Sequence, residues 1–148
     1  MSEPIPSWPL VKRGNRYHPV PTLQHLLRSR GHTVAVDGIF GPTMEFAVRS
    51  FQADEHLIVD GLVGVETWAA IIRVIRRGST GGAVCGVQEE LTYRNLTGDP
   101  GRSLPVDGAF GAHTEAAVRS FQEAVGITVD GIVGAVTWRA LVSGVLSL

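Results

Sequence analysis

The sequence predicts an all-α protein made of two tandem copies of a small three-helix bundle, and three observations predict it. Moving Asp37–Trp68 by 70 positions lays it on Asp107–Trp138 without a gap, with identity at 18 of 32 positions. A repeat of this period marks duplicated supersecondary units. Within each copy, apolar residues recur at i, i+3 and i+4 in three short stretches, the pattern of helices that bury one face. Short Gly-rich turns separate those stretches. The 148 residues therefore divide into two modules of about 70 residues, near the lower limit for a self-sufficient core.

The elements follow in order. Residues 1–9 form a lead with three prolines, in which Trp8 is either exposed or tucked against the first copy. Residues 10–77 hold the first repeat. Its first helix carries Leu23, Leu26 and Leu27 after Val20 and stops at Gly31, its second carries Met44, Ala47, Val48 and Phe51, and its third carries Trp68, Ile71, Ile72 and Ile75. Residues 78–148 repeat the scheme with Val84, Val87 and Leu91, then Ala117, Val118, Phe121 and Val125, then Trp138, Leu141 and Val142. Stripes this short are buried only by packing on one another. The turns ahead of helices two and three share the form Asp-Gly-x-x-Gly, at Asp37, Asp60, Asp107 and Asp130. Asp accepts from nearby backbone N–H groups and Gly adopts positive φ cheaply, so the unit reads as a tight turn feeding a helix.

Composition excludes several function classes. A net charge of -1 and a pI near 6.5, with basic residues scattered apart from Arg76-Arg77, give no field for a phosphate backbone, so no nucleic-acid partner is expected. No apolar run approaches the roughly 20 residues of a membrane span, so no membrane partner is expected either. The single cysteine, Cys85, excludes an internal disulfide, and beside Val84 it reads as a buried structural thiol. A calcium loop needs acidic residues upstream of the turns, in the pattern D-x-[DN]-x-[DN]-G, where Thr33 and Ala35, or Ser103 and Pro105, stand instead. His18, His25 and His32 recur every seven residues, but Pro19, Pro21 and Gly31 break any single helix face for zinc. Neither metal nor cofactor is expected. The acidic pairs Asp54-Glu55 and Glu89-Glu90 point to different helix faces with no nucleophile beside them, so no catalytic residues are assigned.

The order Gly-x(5)-Val-x-x-[Leu/Val]-Gln-x-x-Leu, Asp-Gly-x-Phe-Gly, Ala-Val-x-x-Phe-Gln, Asp-Gly-x-Val-Gly and Thr-Trp resembles the three-helix peptidoglycan-binding domain of bacterial cell-wall hydrolases. Copy one supplies it with Gly14, Val20, Leu23, Gln24, Leu27, Asp37 to Gly41, Ala47 to Gln52, Asp60 to Gly64 and Thr67-Trp68. Copy two supplies Gly78, Val84, Val87, Gln88, Leu91, Asp107 to Gly111, Ala117 to Gln122, Asp130 to Gly134 and Thr137-Trp138. The resemblance spans roughly residues 10–146 and implies non-catalytic attachment to wall glycan or its peptide stem. Copy two keeps the family's Thr114 and Gly126 where copy one has Met44 and His56, and it has six extra residues between Gln88 and Asp107, around Thr97 to Arg102. Copy two is therefore expected to be the better-ordered site. The N-terminus lacks an apolar secretory stretch, so the expected location is the cytoplasm, or the wall by another export route.

Candidate ligand contacts follow from repeated residues. Phe40 and Phe110 stand ahead of the second helix of each copy, either as aromatic faces for a ligand or as plugs of the bundle. Glu45, Arg49 and Gln52 lie at i, i+4 and i+7, and Glu115, Arg119 and Gln122 reproduce them. These six read either as a solvated helix face with a Glu–Arg pair or as a site in which the arginine forks bind stem carboxylates. Two function classes remain open: a tandem wall binder, and a protein-interaction adaptor on the same fold that docks a hydrolase, an effector or a phage-like particle component.

Overall fold

The computed structural model describes residues 5–94 and 104–145. They form six helices: α1 (Val20–Ser29), α2 (Pro42–Asp54), α3 (Val65–Ile71), α4 (Gly82–Tyr93), α5 (Ala112–Val125) and α6 (Ala135–Val142). The fold is all-α, with four isolated antiparallel bridges as the extended pairing among the described residues. The segment Thr97 to Arg102 lies outside the described residues.

The helical stripes fill the core as their spacing requires: Val20, Leu23, Leu26 and Leu27 are at 0 % exposure, as are Trp68 and Trp138. A buried indole brings about 150–250 Å² of surface, and truncating one costs about 3–5 kcal/mol. Each indole N–H also needs an acceptor. Trp68 donates to the Pro9 carbonyl at 2.8 Å, and Trp138 donates to that of Arg73 at 2.7 Å. These contacts define how the chain enters each module. Trp8 stacks on Trp68 with centroids 5.6 Å apart, and Val11 pairs with Val63 as Ile75 pairs with Val133.

The third stripe of copy one therefore needs correction. Helix α3 stops at Ile71 and Ile72 is extended, with φ -66 and ψ 156. Ile75 does not continue that helix but pairs with the second module, because Trp138 and Val133 require an entering strand just as Trp68 and Val63 do. Trp8 takes the tucked one of its two expected alternatives, and with Pro9 it packs against the first module for the same reason.

Each Asp-Gly turn is closed by a glutamine from the preceding helix. Gln122 Oε1 accepts from the N–H groups of Asp130 and Gly131 at 3.1 and 3.0 Å. Its Nε2 donates to Asp130 Oδ1, the Ile132 carbonyl and Thr137 Oγ1 at 3.0, 3.0 and 3.2 Å. Asp130 Oδ1 also accepts from the Ile132 N–H at 2.9 Å. The same clamp recurs at Gln24 on Asp37, Gln52 on Asp60 and Gln88 on Asp107. All four glutamines are 1 % exposed, so each saturates an amide that burial would otherwise penalise. Gln52 and Gln88 also reach Thr67 and Thr114, whereas Met44 offers Gln24 no such hydroxyl.

These bonds hold three of the carboxyls below the usual range. For Asp37 the Gln24 amide is the main cause, followed by the Ile39 N–H. For Asp107 the Ala109 N–H leads and Gln88 follows. For Asp130 the Ile132 N–H leads, with Gln122 adding to it.

The modules meet through α1 and α4. Gly82 lets the helices close, since a Cβ there would lie 2.8 Å from the His25 carbonyl oxygen. His25 pairs with Glu89 at 2.6 Å. Further along, the buried Glu90 contacts His18 at 2.7 Å, Thr22 at 2.6 Å and Arg94. Burying a carboxylate is tolerable only with such partners. Arg94 also donates to the carbonyls of Leu141 and Val145, as Arg30 does to those of Ala70, Ile71 and Ile72. Both arginines thereby satisfy carbonyls left open at a helix end. Cys85 is half-buried, short of the full burial read from sequence, because it faces Gly108 at the edge of α4; burial pushes its thiol up.

Removing a clamp should unfold a module more readily. Gln122→Ala is expected to cost about 2–4 kcal/mol, because it strands buried turn groups; a loss below about 1 kcal/mol in urea denaturation would show the clamp to be dispensable. His56 and Gly126 occupy corresponding places with φ 58 and 78. His56→Gly should stabilise by about 0.5–1 kcal/mol and Gly126→Ala destabilise by at least as much, which thermal unfolding of the two variants will test.

The depressed carboxyls give a signed pH dependence. A lowered folded-state pKa contributes stability that is fully present above the ordinary value of about 3.9 and is lost as pH falls through the lower folded value. The urea midpoint should therefore fall as pH drops below about 4, and the Asp37→Asn/Asp107→Asn/Asp130→Asn protein should show a shallower fall. Identical slopes would remove these residues from the acid response.

Candidate functional site

The clamped turns shape a groove that occurs in both modules. In the second, the turn at Asp130 and Ile132 faces Gly126, Thr128 and the first residues of α6 across 510 Å³. In the first, Asp60 and Leu62 face Leu57, Ile58 and the first residues of α3 across 210 Å³. A smaller relative of 200 Å³ lies beside Gln24, Asp37 and Met44. The two principal grooves differ in lining. Thr128 and Ala135 in the second stand where Ile58 and Val65 stand in the first, and Leu10, just after the lead, enters the first groove. Leu10, Ile58 and Val65 are 57 %, 75 % and 59 % exposed, which makes the first groove apolar at its rim. The second combines an exposed carboxylate, a threonine hydroxyl and small apolar walls, a set that accepts hydroxyl and amide donors while covering methyl groups.

The sequence-selected residues fall into three groups. Phe40 and Phe110 are 1 % and 3 % exposed and plug the bundles, so their rings offer no ligand a free face. Gln52 and Gln122, read from sequence as lying away from the core, are buried and committed to the clamps. That reading failed because the Asp-Gly turn folds back over the outer face of the second helix. The Glu–Arg residues do line that edge. Arg49 Nε lies 3.4 Å from Glu45, and its Nη1 donates to the Val59 carbonyl at 3.3 Å. Arg119 donates to the carbonyls of Val129 and Asp130, both at 3.4 Å, while Glu115 lies 3.9 Å from Arg77. Both arginines cover turn glycines: a Cβ on Gly61 would lie 3.1 Å from Arg49 Nε, and one on Gly131 3.2 Å from Arg119 Nε. Their repetition thus has a packing cause, yet both guanidinium groups stay at the exposed surface.

The three evenly spaced histidines diverge. His18 and His25 turn to Glu90 and Glu89 across the module junction, and His32 meets Asp54 at 3.1 Å. Sequence reasoning missed the clamp, although a glutamine precedes every Asp-Gly turn. It also missed the groove residues, whose signal is the set of positions at which the two copies differ inside an otherwise constant repeat.

The peptidoglycan binding domain family model matches residues 16–71 and again residues 80–141. The chain is 36 % identical over 104 residues to the zinc D-Ala-D-Ala carboxypeptidase of Streptomyces albus G, in a match covering 69 % of this chain and 38 % of that protein. It is 35 % identical over 118 residues to the N-acetylmuramoyl-L-alanine amidase CwlM of Mycobacterium tuberculosis, covering 75 % of this chain and 29 % of that protein. A match to the spore cortex-lytic enzyme of Bacillus cereus is 44 % identical over 71 residues and covers 47 % and 25 % of the two chains. Among solved structures, the SleB N-terminal domain is similar with a TM-score of 0.43 and 42 % identity, covering 48 % of this chain and 90 % of that one. The chain thus spans well under half the length of each of these curated relatives. With the family model matched twice along most of its length, this chain belongs to the peptidoglycan binding domain family and carries two successive copies of the domain.

Proposed function

We propose that the chain binds bacterial peptidoglycan without cleaving it, through the grooves beside the clamped turns, with the second module as the stronger site. The observation that carries this reading is the groove itself: one architecture built twice on the same clamp, with the more open and more polar version at Asp130 and Thr128. Arg119 and Arg49 stand at the turn edges, where a guanidinium fork can take a stem carboxylate. Gln122 and Gln52 act as positioning residues, since they hold the turns but are buried. A second reading has its own support. The apolar rim of the first groove, with Leu10, Ile58 and Val65 exposed, suits a protein partner better than a sugar polymer, so that one module holds the wall while the other docks a protein.

Co-sedimentation with purified sacculi tests the proposal. Wild type should be retained, and Arg119→Ala should lose at least as much retention as Arg49→Ala, each by about 1–3 kcal/mol as for a charge-assisted contact. High salt should weaken retention in the same direction. Retention unchanged in the double variant, with helicity intact by circular dichroism, would remove both arginines from the contact. Thr128→Ile/Ala135→Val, which gives the second groove the lining of the first, should also release the protein if that groove is the wall site. Failure to sediment, together with capture of a defined protein through the Leu10 and Ile58 surface, would favour the adaptor reading. Incubation with sacculi should release no soluble muropeptides, with or without added zinc; measurable release would overturn the non-catalytic assignment.

A further inference from the structure

The junction between the modules contains a cleft that neither module has alone. Tyr17, His18 and Pro21 at the start of α1 face Glu89 and Tyr93 of α4 across 370 Å³. Its origin lies in differences between the copies. The first helices correspond at an offset of 64 residues, as Gln24 does to Gln88, so His25 and Glu89, which pair with each other, are equivalent positions on either side of the junction. By the same offset Tyr17 corresponds to Gly81, His18 to Gly82, and Tyr93 to Ser29. At the Gly82 end the helices close on each other. At the other end the larger residues hold them apart.

The walls of the opening are positioned. His18 stacks flat on Tyr93, with centroids 4.8 Å apart and 1° between planes, and its Nε2 is held by Glu90 at 2.7 Å. Glu90 is in turn engaged by Thr22 and Arg94, so it braces the wall and has little left to offer a ligand. Glu89 is bonded to His25 through Oε2, and its side chain remains 39 % exposed. Tyr17 has φ 64 where the second copy has a glycine at φ 114, a conformation that bulky residues disfavour. It is nevertheless 77 % exposed, so core burial does not offset the strain, and residues held in this way cluster at ligand sites.

We propose that this cleft is a saccharide subsite that takes one or two N-acetylhexosamine rings of a wall glycan, an assignment that rests on the wall-binding reading above. The exposed Tyr17 ring suits the C–H face of a pyranose, Tyr93, stacked on His18 and 44 % exposed, adds an apolar wall beside it, and the open carboxylate of Glu89 accepts a hydroxyl or acetamido N–H. The volume lies at the lower end of the range for small-molecule sites, about 300–1,000 Å³. The exposed carboxylate of Glu89 disfavours the anionic peptide stem, so the cleft selects glycan.

The test is titration of the ¹⁵N-labelled full chain with the β-1,4-linked N-acetylglucosamine trimer, followed by amide shifts. Shifts at Tyr17, Thr22, Thr92 and Tyr93 are expected. Tyr17→Gly should unfold at or above the wild-type temperature, because it relieves the backbone, yet bind the trimer about five-fold more weakly, as loss of one stacked ring would give. Tyr93→Ala should weaken it similarly. Affinity unchanged in both variants overturns the assignment. Shifts confined to residues 126–137 overturn it while leaving wall binding intact. A wild type that sediments with sacculi but shows no trimer shifts also refutes the cleft alone, whereas absence of both refutes the cleft and the wall-binding reading together.

Discussion

A primary amide carries two donors and an acceptor in one plane, so a single buried glutamine can grip both the N–H and the C=O groups of a tight turn. Each module uses this device at both of its turns. The grip joins a helix to the start of the next one, since the second glycine of each Asp-Gly-x-x-Gly unit is the residue from which the following helix springs. Helices of 7 to 14 residues have little stability of their own. The clamps fix their relative placement, and the tryptophans, the entering strands and the arginine-capped helix ends add packing.

The same interaction separates what is constant in the module from what is free to vary. The backbone of the turn, the buried amide and, in three of the four clamps, the threonine beneath it are committed to each other. Residues beside the turn, such as Ile58 and Thr128 or Val65 and Ala135, carry no part of the clamp and differ between copies. One scaffold thereby presents a narrow apolar groove and a wider polar one without any change of fold. Arg49 and Arg119 occupy an intermediate position, since they cover the turn and also reach the surface.

Most of the fold was legible because periodicity and glycine placement are local signals. The stripes ending in Phe51, Val125 and Leu91 are buried as their spacing requires, and His56 and Gly126 take the left-handed conformation where the second helix ends. The end of α3 was misread because Ile75 continues a helical spacing while serving a partner about 60 residues later, and only the demand of Trp138 for an acceptor and of Val133 for a neighbour explains it. Gln52 and Gln122 were misplaced for a related reason: a helical wheel has no knowledge of a loop that folds back over it. The site was less legible than the fold because polar repetition does not distinguish a residue that holds a turn from one that meets a ligand. The junction cleft left no motif at all, since it arises from paired departures such as Tyr17 against Gly81 and Tyr93 against Ser29.

The close approach at Gly82 has a thermodynamic implication for multivalency. Two weak sites on a flexible tether sample many separations, and a polymer offering almost any spacing can satisfy both, at an effective concentration of about millimolar. Here α1 and α4 are docked, with His25, Glu89 and Glu90 bonded across the seam. The entropy of searching for the second site is then removed in advance, but so is tolerance of a mismatched target. A strand whose repeat matches the distance between the sites gains the whole of the second contact, and one whose repeat does not gains none. On the wall-binding reading proposed above, the pair of modules discriminates by the architecture of a surface, meaning the interval at which its chemistry recurs, as well as by that chemistry.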